Sequence, residues 1–345
     1  VVIPALGAAK GNGSLQRGLS LIELMISITI GLLILAALST LFVNQSKTRA
    51  ELDKSNRMID NGRYALEVLS DNLRLAGFYG EFAPSTGVPA IPGTLPDPCT
   101  TDATAIGNAL QLAVQGVEAT TTSTPGFSTL CSSVAAANSD ILKAGSDILV
   151  IRRASTAAPV ATGAAVNGTH YLQASLCQFD AVPYIVGTTS ASFTLRTKTC
   201  TQGSGAPYAD LRQFMVQVYF VSLNNNPSDG IPTLKRLELA SGGFVVTPLV
   251  EGIEYMQLEY GLDNDVDGAA DSYVAAPTLA QWPDVVALKV NILARNTEET
   301  KGYTDTKTYS LGLAGTVTPG STNNTYKRHV YTQFIRLTNP AGRRE

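Results

Sequence analysis

Four aspartates, Asp263, Asp265, Asp267 and Asp271, occupy positions 1, 3, 5 and 9 of a loop with Gly268 at position 6. Alternating carboxylates converge on one point and the glycine permits the tight turn that aims them inward, so the expected cofactor is calcium. Position 12 is Val274, which leaves the shell to be completed by a residue distant in sequence. A solvated acidic turn between two strands is the other reading, because Asp, Asn and Gly favour turns in any case. A second set of reactive residues is Cys99, Cys131, Cys177 and Cys200. None forms a CxxC pair, and His170 and His329 stand far apart, so a zinc site is not expected. Three disulfide pairings are open to four cysteines; Cys99–Cys131 and Cys177–Cys200 close the most local loops. The sequence has no GxSxG, HExxH, Walker A or Rossmann fingerprint in a fitting context, and no catalytic residues are expected.

One more acid stands out by where it lies. Glu23 immediately precedes residues 24–43, a run of twenty without a charge. At about 1.5 Å per residue the run makes a helix of roughly 30 Å, enough to cross the hydrocarbon core of a bilayer. A secretory signal peptide has a shorter apolar region, no acid within it and a small residue after it. Here the small residue, Gly18, comes first. A carboxylate at membrane depth costs on the order of 3 kcal/mol and calls for a partner, unless it simply snorkels to the interface.

The residues around it read RGLSLIELMI over 17–26. This resembles the prepilin signature of type IV pilins and of type II secretion pseudopilins. The resemblance implies that a prepilin peptidase cuts between Gly18 and Leu19, that the new N-terminus is methylated, and that the apolar helix stays on the mature chain. It also implies that Glu23 pairs with the N-terminal amine of another pilin, setting register as subunits stack. The stretches NGRYALE at 61–67 and LRLAGFYG at 73–80 narrow the resemblance to minor pilins of the PilW family. For that family the implied role is to help initiate type IV pilus assembly at or near the tip. The implied partners are other minor and major pilins and a tip adhesin, with adhesion and twitching motility depending on the chain indirectly. PilW-like sequences often carry a DxDxDG segment, which adds to the calcium reading by resemblance. A minor pseudopilin of type II secretion, or a membrane-anchored adhesin outside any filament, are the alternatives.

The elements that position these residues follow from pattern. Residues 1–18 read as a leader, 19–77 as one long helix with 19–43 transmembrane, and 78–345 as an extracytoplasmic β-rich head. Leu52, Ile59, Leu66 and Leu73 recur every seven residues, with Leu69 and Ala76 beside them, and predict the helix face that packs on a sheet. Proline and glycine between 83 and 108, and Thr, Ser and Ala between 119 and 140, predict irregular chain. Strands are predicted at 109–117, 147–153, 183–187, 191–197, 212–222, 233–240, 253–261, 285–295 and 328–338. The fold class is therefore α+β and pilin-like, a long N-terminal helix with an antiparallel sheet in the head.

Lys10 and Arg17 precede the apolar run and Lys47 and Arg49 follow it, a near balance; the long head and its cysteines favour translocation of the C-terminal side. The expected course is an inner-membrane protein with its head in the periplasm before assembly, then an extracellular pilus. With 345 residues, 44% hydrophobic composition and a net charge of −3, the chain has a core-forming head and no basic footprint for nucleic acid.

Overall fold

In the computed structural model of the chain, residues 18, 20–84, 88–90, 92–119, 129–138, 140–203 and 205–345 are described. They fall into two compact units, one ending at Asp53 and the other comprising Lys54–Glu345. Helix α1, Leu21–Arg74, is continuous through the boundary. In the first unit its side chains from 21 to 43 are exposed apart from the partly covered Gly31, as suits a helix whose apolar surface is to meet lipid or other helices.

The second unit holds α2 (Ala103–Asn108), α3 (Thr129–Ala137), α4 (Thr338–Gly342) and the strands. In chain order these are β1 (Val114–Val117), β2 (Ile148–Ala154), β3 (Tyr171–Ala174), β4 (Tyr184–Gly187), β5 (Leu211–Ser222), β6 (Thr233–Ala240), β7 (Gly243–Glu251), β8 (Ile253–Leu262), β9 (Ser272–Val274), β10 (Val285–Arg295), β11 (Tyr309–Ser310), β12 (Thr316–Val317) and β13 (Arg328–Arg336). Every pairing is antiparallel. The larger sheet, of seven strands, runs β1-β2-β5-β3-β4 with β6 joined to β5 and β7 to β6; the smaller, of four, runs β13-β10-β8-β9; and β11 pairs with β12. The long helix followed by antiparallel sheet is the α+β, pilin-like arrangement expected.

Period-two patterning explains how one sheet serves two cores. In β2, Leu149 and Ile151 join the core that includes α1, while Ile148 and Val150 face a second core with Tyr79, Phe82 and Ile106. Strand β5 divides likewise, Tyr219 and Val221 to the first and Phe214, Val216, Val218 and Phe220 to the second. Alternate side chains of a strand point to opposite faces, so both faces of these strands must be apolar. In the smaller sheet only one face joins that core: Met256, Leu258 and Tyr260 of β8 lie with Leu288, Val290 and Ile292 of β10.

Leu69 and Leu73 of the predicted stripe are buried, as is Ala76 just past the end of α1, but the face that α1 buries departs from that stripe nearer the N-terminus. Met58, Gly62, Ala65, Leu69, Ser70 and Leu73 are buried, whereas Leu52 is 57% exposed and Ile59 and Leu66 are only partly covered. Small residues are needed because the sheet comes close: a Cβ on Gly62 would stand 2.2 Å from Cε2 of Tyr331 on β13. The helix stops where Gly77 takes φ +72° and its amide donates to Arg152 O at 2.9 Å, a conformation glycine adopts without a Cβ penalty. Tyr79 then stacks on Phe214, ring centroids 6.0 Å apart.

Four predicted segments need correction. The stretch 83–108, expected to be irregular, ends in α2, residues 109–113 precede β1 rather than extend it, and 119–140 contains α3. The expected strand 191–197 is absent: Phe193 packs with Tyr171 and Leu211, Leu195 is buried apart from that cluster, and Arg196 makes one isolated bridge with Tyr208. Strands β3, β7, β9, β11 and β12 were not predicted.

The two sheets are tied at one carboxyl. Asp147, 1% exposed, accepts the Ala119 amide through Oδ1 and the Leu258 amide through Oδ2, each at 2.8 Å. Burial and the neighbouring Glu118 push its carboxyl up to about 8, and burial raises Glu118 to about 7.

Candidate functional site

The start of α1 is built by reciprocal capping. Glu23 Oε2 accepts the Ser20 amide at 3.1 Å, and Ser20 Oγ accepts the Ile22 amide at 3.4 Å. Two otherwise unpaired amides of the first turn are thereby satisfied, and a carboxylate sits at the positive end of the helix dipole. The Ser-x-x-Glu spacing was present in the sequence and went unread as a cap. Glu23 and Gly18 are exposed, and among the described residues a Cβ on Gly18 would meet nothing within 4 Å. Residues 1–17 and Leu19, which carry the leader and one side of the expected cut, lie outside the described residues.

The head's covalent ties are Cys99–Cys131 and Cys177–Cys200, each with Cα atoms 5.2 Å apart. The first binds the proline-rich segment after α1 to α3, and the second closes the loop following β3. Closing loops of 32 and 23 residues restricts the unfolded chain and contributes around 3 kcal/mol each.

The acidic loop leaves β8 at Asp263. Carboxylate oxygens of Asp263, Asp265 and Asp267 lie within 4.8 Å of one another. Asp271 does not join them; its Oδ2 accepts the Asn264 amide at 2.7 Å. Val274 lies in β9. Asp263 is fully buried and fully engaged: Oδ1 accepts the Val266 and Asp267 amides, and Oδ2 accepts the Gly268 amide at 3.0 Å and Arg344 Nε at 2.7 Å. Burial works to raise its carboxyl, but those amides and the Arg344 guanidinium overcome it and hold it below the usual carboxylate range. Desolvation and then the charges of Asp267, Asp271 and Asp263 push Asp265 the other way. The donor set is all oxygen, as calcium prefers, with Asp265 and Asp267 exposed. Arg344 brings a positive charge that the loop sequence gave no sign of, and it also binds Asp284 at 2.7 Å. The residues beside it latch the end of α1: Asn339 Nδ2 donates to Ala76 O at 3.1 Å and Arg343 Nη1 to Gly77 O at 3.0 Å.

Residues 13–39 match the family model described as the prokaryotic N-terminal methylation motif, and residues 218–339, from β5 to α4, match type IV pilus-assembly protein W. The two matches support a PilW-like type IV pilin. Type IV pilins are non-enzymatic structural proteins that associate with other pilins, and the methylation motif with an apolar N-terminal helix among the described residues fits a membrane-anchored pilin. Among solved structures it is similar to a type IV-like pilin from Thermus thermophilus, with 12% identity over 83% of this chain and 98% of that one and a TM-score of 0.33. No curated protein sequence matches it.

Proposed function

We propose that this pilin primes pilus assembly and stays at or near the tip. A peptidase removes residues 1–18, the head lies in the periplasm until assembly, and the mature helix then enters the filament bundle beside other minor and major pilins. The head presents or steadies a tip adhesin. The observation that carries this reading is Glu23, an exposed acid at the capped mouth of an apolar helix. In low dielectric its natural partner is a cation, and the amine freed at Leu19 of a neighbouring subunit supplies one.

Glu23→Gln in the full-length chain tests it. Breaking an ion pair in an apolar bundle costs about 3 kcal/mol, roughly a hundredfold in an association constant. Recovery of the variant in sheared pili is expected to fall at least tenfold while its level in the membrane stays unchanged. Equal recovery of variant and wild type overturns the role of Glu23.

We also propose that the acidic loop holds calcium through Asp265 and Asp267, with Asp263 ordering the loop from within. Occupancy at tenfold above Kd stabilises the head by about 1.4 kcal/mol, or a rise of about 3–5 °C in Tm for a head of this size. Calorimetry with millimolar calcium and then with chelator reads the shift; superimposable curves remove the site.

A further inference from the structure

Strand β13 is one of the two edge strands of the smaller sheet, with β9 at the other edge. All nine of its residues pair with β10 without a register shift. The bonds that continue this ladder, Leu337 N to Val286 O and Asn296 N to Lys327 O, fix which amides it uses. Odd-numbered residues of β13 face β10, so the amides and carbonyls of Val330, Thr332 and Phe334 face outward. Among the described residues these three make no backbone hydrogen bond on that side. The centre of the strand, 330–334, has no proline, lysine or bulge, the usual protections of a free edge.

Other unmet groups lie beside this edge. Between it and α1 is a groove of about 350 Å3 whose lining includes Arg63, Glu67, Asp71, Arg74 and Gln333. The four charges follow one another at helical spacing, and none has an ion-pair partner among the described residues. Among the described residues the buried Tyr331 hydroxyl has no hydrogen-bond partner. On the other face of the strand Phe334 is 62% exposed, with Tyr273 and Lys289 beside its ring at 5.7 and 5.6 Å.

We propose that β13 accepts an extended segment of a different, neighbouring pilin as an added strand, its backbone pairing with Val330, Thr332 and Phe334. This rests on the filament role proposed above. Main-chain bonds supply the affinity of such an addition and alternate side chains supply its specificity. The charges along the groove run positive at Arg63, negative at Glu67 and Asp71, and positive at Arg74. The complementary strand carries a basic side chain at its middle flanked by acids on that face, and an aliphatic or aromatic residue on the face that meets Phe334. A second copy fits less well. Two-fold antiparallel pairing of β13 with itself sets the two α1 helices in opposite directions, whereas subunits anchored in one membrane present them in the same direction.

Proline at 332 removes an outward amide and leaves the β10 ladder whole. It also removes the Thr332 hydroxyl bond to Asn291 Oδ1 at 2.8 Å, so Thr332→Ala, which loses that bond but keeps the amide, is the control. In piliated cells the full-length Thr332→Pro chain is expected in sheared pili at less than a tenth of the Thr332→Ala level. In parallel, a benzophenone amino acid at position 333 is expected to crosslink to a different pilin, identified by its peptides, and that adduct decides the matter if the proline variant fails to fold. Equal recovery of the two variants, no adduct, or an adduct only with a second copy overturns the added strand while the pilin reading stands. Absence of the unsubstituted chain from pili overturns both.

Discussion

Arg328→Met is expected to cost the head about 3–5 kcal/mol, because it strands two buried carboxylates. The Arg328 side chain is 1% exposed and meets Glu254 at 2.5 Å and Asp305 at 3.2 Å, whose own side chains are 4% and 0% exposed. Its remaining donors reach Tyr326 O and Asn323 O, and Tyr309 donates its hydroxyl to Asp305. Burial lowers the tendency of the guanidinium to stay charged, but the hydrogen bonds and charges of Glu254 and Asp305 more than restore it. Methionine fills similar volume without charge, so the loss reads the stranded acids rather than a cavity. The check is the denaturant midpoint at unchanged slope; a loss under about 1 kcal/mol would mean that water reaches the two carboxylates readily.

The second large effect is on pH dependence. In the folded head Asp147 and Glu118 titrate near 8 and 7, whereas in the unfolded chain both release their protons near pH 4. The folded state therefore holds protons that the unfolded state has given up. The resulting stability is present in full below about pH 4 and is lost as pH rises through 7 to 8. A loss on the order of 3 kcal/mol between pH 5 and pH 9 is expected, and Glu118→Gln, which removes the neighbouring charge, should flatten the slope above pH 6. Equilibrium unfolding across that range reads it, and stability that is flat or rises with pH contradicts it. Such a head is weakest where Asp147 must carry a charge while still holding Ala119 and Leu258 together.

How much of this was legible in the residues depends on the range of the interaction that decides each element. The charge-free run at 24–43 and the glycine before it are local and were read directly. So was β10, whose Leu288, Val290 and Ile292 alternate with polar neighbours because only one face meets the core that includes α1. Strand β7 was missed because Pro248 and Thr247 break its pattern, and a strand joined only to β6 tolerates them. The segment 191–197 reads as a strand, yet its apolar residues fill separate niches while Asp180 holds Arg196. On α1 the large residues at 52, 59 and 66 form a regular stripe, but the sheet lies against Gly62, where Tyr331 comes too near to admit a larger side chain. At the acidic loop the spacing of carboxylates was visible and their counter-charge was not: Arg344 is 81 residues away from Asp263.

That last contact, with Asn339 and Arg343 on the end of α1, bears on how the head is to be produced for experiments. A soluble version trimmed ahead of Thr338 would lose the stitch between the helix exit and the aspartate turn at once. An affinity tag placed behind Glu345 would crowd the same seam. Fusion partners are better carried on the exposed turn around Gly320.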